Sequence, residues 1–79
     1  MKKYEEKSNV IGELVKDYRN KKKLTKMELS RQLQLHAVYL DHTEINRIET
    51  NRMIVKDFEL IALCKVLDIS FEDLKNTIL

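Results

Sequence analysis

The residues best suited to chemistry lie in one short stretch, Asp41-His42-Thr43-Glu44-Ile45-Asn46-Arg47-Ile48-Glu49. At helical spacing Ile45 and Ile48 share one side, which leaves His42, Thr43, Asn46 and Arg47 together on the wet side. Asn and Arg offer paired hydrogen bonds that match the edges of adenine and guanine, and an α-helix fits the major groove where those edges are displayed. These four side chains are therefore candidate base contacts. An earlier stretch, Leu24-Thr25-Lys26-Met27-Glu28, opens another helix whose first N–H groups, with Thr25 and Lys26, suit a phosphate oxygen.

Catalytic chemistry is poorly supplied. Cys64 is the single cysteine. It has only His36 or His42 as a candidate base, sits on an apolar helical face and has no glycine-built oxyanion site, so it reads as a small core residue. Asp41 and Glu44 imitate a carboxylate pair, but both have better roles at a helix start. One Cys with two His cannot close a four-ligand zinc site, and one Gly cannot build a phosphate-cradling loop or a dinucleotide fingerprint. The expectation is no enzyme, no cofactor, no metal and no small-molecule ligand.

The elements that must position the candidate contacts are helices. Val10, Ile11, Leu14, Val15 and Tyr18 recur at helical spacing and predict a first helix from about Asn9 to Lys22, with Ser8 as its cap. Lys21, Lys22 and Lys23 complement the negative end of that helix dipole and read as a solvated face rather than a binding patch. Thr25 with Glu28 and Asp41 with Glu44 are capping boxes that start a second and a third helix, each flanked by a hydrophobic staple, Leu24 with Leu29 and Leu40 with Ile45. Asp57 to Leu67 is a strongly apolar fourth helix, and Ser70 with Asp73 starts a fifth. Five helices and no sheet are expected. Residues 1–7 lack an apolar stripe and read as a flexible tail in which Lys2, Lys3 and Lys7 form a weak basic arm; residues 8–79 read as the domain.

Length and composition agree with this. A chain of 79 residues with 43% hydrophobic and 35% charged side chains is one small globular domain, burying roughly 60% of the surface its unfolded form exposes. No run approaches the roughly 18 apolar residues of a membrane span and no apolar signal core follows Met1, so a cytoplasmic setting with no membrane partner is expected. The net charge of +2 hides an asymmetry. Residues 1–56 hold 13 basic against 8 acidic side chains, whereas residues 57–79 hold 2 against 5. The basic part is the one that would meet an anionic partner.

The ordered set Ile11-Gly12-Glu13, Tyr18-Arg19, Leu24-Thr25, Glu28-Leu29, Leu33, Ile45-Asn46-Arg47-Ile48-Glu49 and Asn51-Arg52 resembles the helix-turn-helix domain of Cro and phage-repressor type (XRE-like) transcriptional regulators. Asp57 to Ser70 resembles its fourth helix and the approach to its fifth. The resemblance spans about residues 9–77 and implies an all-α, five-helix, lambda-repressor-like fold with the helix-turn-helix at helices 2 and 3. It also implies an ion pair between Arg19 and Glu49 that fixes the recognition helix. Asn51 stands where the family usually has Gly, and Asn is the next best residue for a left-handed cap. Arg52 and Lys56 match positions that touch phosphate, although a plain solvated surface is an equal reading for Lys56.

One departure stands out. Helix-turn-helix connections usually run to roughly 3–4 residues, whereas eleven residues separate Leu33 from Ile45. Gln34 to Leu40 form either an extended end of helix 2 or an ordered loop, and His36 or Tyr39 is packed, solvated or in contact with a DNA backbone. The implied function is a sequence-specific double-stranded DNA-binding regulator, expected to be a repressor and a homodimer on a two-fold operator. Phe71, Leu74, Ile78 and Leu79 serve either the dimer contact or the internal core. The alternative is a protein-interaction module on the same fold, such as an antitoxin or a regulatory partner subunit.

Overall fold

The computed structural model describes residues 6–78, which form five helices and no strand: α1 Gly12–Lys21, α2 Lys26–Gln34, α3 His42–Glu49, α4 Asp57–Leu67 and α5 Phe71–Lys75. The expected basic arm at Lys2 and Lys3 lies outside the described residues, and Lys7 is exposed. Both capping boxes form. The Thr25 hydroxyl accepts the Glu28 N–H at 3.0 Å while Glu28 accepts the Thr25 N–H at 2.9 Å. Asp41 and Glu44 repeat the exchange at 2.7 and 3.1 Å, and Ser70 accepts the Asp73 N–H at 3.1 Å.

Helix α1 starts later than its apolar stripe predicts. Ser8 does not cap it; the Ser8 N–H donates to the Asn51 carbonyl at 3.0 Å. Asn9 is drawn away from the helix by long-range bonds, its Nδ2 donating to the carbonyls of Ile48 at 3.1 Å and Met53 at 2.8 Å. Its Oδ1 accepts the Ile11 N–H at 3.1 Å, so regular turns begin only at Gly12.

The helix ends share a device that uses no glycine. Lys23, Ala37, Asn51 and Asp68 adopt left-handed backbone with φ of 57°, 59°, 63° and 57°. After α1, α2 and α3 the returning N–H groups close Schellman pairs. For α2 these are Ala37 N–H to the Gln34 carbonyl at 3.0 Å and Val38 N–H to the Leu33 carbonyl at 3.1 Å. A Cβ in this region is costly, and Ala has no polar side chain to offset the strain. Ala37→Gly should therefore stabilise the domain by about 1 kcal/mol, read as a higher denaturation midpoint.

One apolar core joins the helices, with Val15, Leu29, Leu33, Leu40, Ile45, Ile48, Leu63 and Leu67 almost wholly enclosed. Helix α3 packs on α1 and α2, and α4 packs on the same two. The fourth helix is less buried than its composition suggests. Ala62, Leu63 and Leu67 face the core, but Phe58 and Ile61 remain more than half exposed. Part of its inner face goes instead to Glu59, which is buried and accepts the Lys56 N–H at 2.9 Å. Cys64 is half-buried, and burial pushes its thiol pKa up.

Candidate nucleic-acid interface

The path between α2 and α3 settles the long connection as an ordered loop. Helix α2 stops at Gln34, a turn covers 35–37, and 38–40 run extended. Extended backbone alternates its side chains, so Val38 and Leu40 plug into the core while Tyr39 points out, 73% exposed. The Ser30 hydroxyl, halfway along α2, donates to the Leu40 carbonyl at 2.6 Å. This bond brings the start of α3 back beside the middle of α2.

Helix α3 then divides as its sequence implies. Ile45 and Ile48 are sealed in the core, while His42, Thr43, Asn46 and Arg47 are all exposed. The four side chains thus share one short helix with free polar groups above and a fixed apolar floor beneath. Thr25 is exposed and Lys26 half-buried at the start of α2. Arg52 and Lys56 are exposed in the segment between α3 and α4 and are not part of the α2–α3 pair. The Lys56 ammonium lies 5.9 Å from the centre of the Phe58 ring.

The α2 start is less open to an anion than its sequence suggests. The Thr25 hydroxyl already accepts a backbone N–H, and the Glu28 carboxylate occupies the Thr25 N–H. Bonds from the Thr25 backbone and hydroxyl hold the Glu28 carboxyl below the usual range, so it stays anionic at neutral pH. A phosphate there would rely on Lys26 and the remaining first-turn N–H groups.

Behind the wet face, Arg19 of α1 meets Glu49 at the end of α3. Its Nε donates to Oε2 at 2.6 Å and its Nη2 to Oε1 at 3.0 Å, and both residues are buried. The third nitrogen donates to the Leu24 carbonyl at 2.8 Å, so one guanidinium ties α1, the α2 entrance and α3 together. The Glu49 bond, less the cost of burial, raises the Arg19 pKa.

Sequence reasoning missed a polar knot beside this pair. Asn51 Nδ2 donates to the Asn9 carbonyl at 3.1 Å and to Asn9 Oδ1 at 3.0 Å, which braces the far end of α3. Gly12 lies against the same end. A Cβ on it would stand 2.5 Å from the Ile48 carbonyl and 2.8 Å from that of Glu49. A lone glycine inside a helical pattern was the available signal.

Among known families, a model described as helix-turn-helix matches residues 15–74, from the middle of α1 into α5. Neither the curated proteins nor the solved structures give a match. The match takes in the α2–α3 pair, its long connection, and the Arg19–Glu49 brace. The chain belongs to the helix-turn-helix family of Cro and phage-repressor type DNA-binding regulators.

Proposed function

We propose that residues 8–79 bind double-stranded DNA sequence-specifically, with α3 in the major groove, and repress transcription by occupying a promoter. The observation that carries this reading is the set of four exposed groups on α3, His42, Thr43, Asn46 and Arg47, above the buried Ile45 and Ile48. Arg47 and Asn46 read base edges, with Thr43 and His42 beside them. Lys26 with the open first-turn N–H groups of α2, Arg52 and Lys56 meet phosphates and set the register, while Thr25 serves as the cap that holds this helix start in place. Selection from a random duplex pool at moderate salt tests the proposal, and recovery of no enriched motif overturns it.

Truncating Arg47 to Ala should cost about 1 to 3 kcal/mol on the enriched site and relax preference at one base pair. Truncating Lys26 should instead weaken all sequences alike. Competition titrations against single-base variants of the site separate the two outcomes.

A two-fold operator calls for a homodimer. Phe71 and Ile78 remain largely exposed near the end of the chain, whereas Leu74 packs against the core, and Leu79 lies outside the described residues. Sedimentation at micromolar concentration tests the dimer. The second reading, a partner-binding module such as an antitoxin, draws support from the open groove that Phe58 and Ile61 form with Val38. For a DNA binder log affinity falls steeply and linearly with log salt, and a module that never touches DNA shows no such slope.

A further inference from the structure

The fold of the long connection places two side chains from the second half of α2 beside the recognition helix. Because Ser30 holds the Leu40 carbonyl at 2.6 Å, the chain passes the end of α2 and doubles back. One groove is therefore lined by Met27, Ser30, Arg31 and Gln34 of α2 and by Asp41 and His42 at the start of α3. We propose that Arg31 and Gln34 bind a DNA phosphate in this groove, on the strand flanking the base pair that His42 approaches. The proposal rests on the DNA-binding reading above.

Arg31 and Gln34 are both exposed, and Arg31 forms no ion pair among the described residues. The two nearby carboxylates are each held by a capping bond, and Glu28 feels the Arg31 charge without forming an ion pair with it. Glu28, one turn back, accepts the Thr25 N–H at 2.9 Å, and Asp41 accepts the Glu44 N–H at 2.7 Å. Arg31 thus keeps its donors free for an anion, with the Gln34 amide one turn further along the same helix face. Asp41 repels a phosphate from its own side of the groove, which seats the anion toward α2.

The test measures binding of a fluorescent duplex carrying the enriched site, and of one lacking it, over a series of salt concentrations. Arg31→Gln should flatten the slope of log affinity against log salt by about one, on both duplexes, while the preferred motif stays unchanged. Gln34→Ala should weaken both duplexes by less. Lys65→Gln, which removes an equal charge from the α4 side, should leave the slope in place. An unaltered slope for Arg31→Gln with intact wild-type binding overturns this proposal alone, as does an equal flattening by Lys65→Gln. Failure of the wild-type protein to bind either duplex overturns the DNA-binding reading as well.

Discussion

Glu49→Ala should destabilise the domain by about 3 to 5 kcal/mol, because it leaves the buried Arg19 guanidinium without its counter-ion. A small domain has roughly 5 to 15 kcal/mol in total, so a large share of the protein should be unfolded at physiological temperature. The size follows from burial. Exposed pairs such as Lys22 with Asp68, 2.8 Å apart at the surface, are worth about 0 to 1 kcal/mol. Arg19 and Glu49 instead have side chains only 10% and 3% exposed. Arg19→Met should cost a similar amount, since it strands the carboxylate. The double variant Arg19→Met, Glu49→Leu should recover most of the loss, because desolvating an ion pair is itself expensive. Recovery stays incomplete, since the Leu24 carbonyl also loses its donor. Urea denaturation of the two single variants and the double variant checks this, and a Glu49→Ala midpoint equal to wild type would sink it.

The second large effect belongs to the only glycine. Gly12→Ala should destabilise by about 3 kcal/mol, near the upper end for overpacking, although alanine is the better helix former. Its Cβ would meet the carbonyls of Ile48 and Glu49 at 2.5 and 2.8 Å and Asn51 Nδ2 at 2.8 Å. Two of these three are backbone at the end of the recognition helix, so relief requires α1 and α3 to separate. DNA affinity should fall along with stability, because the move tilts the wet face of α3. A stabilisation by alanine would show that the helices do not approach so closely. The contrast with Ala37 is instructive: there a left-handed residue is not glycine, and here a glycine is not left-handed. Close approach, rather than backbone freedom, sets its position.

Much of the fold was legible in the sequence because local chemistry specified it. Thr25, Asp41 and Ser70 stand at the helix starts they predict, since a capping side chain and its N–H partner lie within four residues. Helix α4 begins at Asp57 and ends at Leu67, where the apolar run begins and ends. The division of α3 into a buried and an exposed side follows from the spacing of Ile45 and Ile48 alone. The start of α1 was not legible. Asn9 resembles any polar residue near a helix start, and its bonds to Ile48 and Met53 reach across the fold. Nor could periodicity foresee that Phe58 and Ile61 stay exposed, because an apolar side chain does not announce whether a neighbouring element will cover it.

By itself, then, the sequence determined the presence of five helices, the caps of α2, α3 and α5, the family to which the ordered residues belong and the face of α3 that carries polar groups. The helices, the caps and the polar face each depend on neighbours within one or two turns, and the family on the order in which such local features follow one another. Only the tertiary structure decided where the connection goes and what that brings together. Leu29, Leu33, Ala37 and Leu40 keep a helical stripe that fits a longer α2 equally well. The choice was made by burial of Val38 and Leu40, by the left-handed turn at Ala37 and by the Ser30 hydroxyl on the Leu40 carbonyl. Those contacts span up to ten residues or join separate helices, and their energies are those of packing and buried hydrogen bonds, which a one-dimensional pattern does not contain.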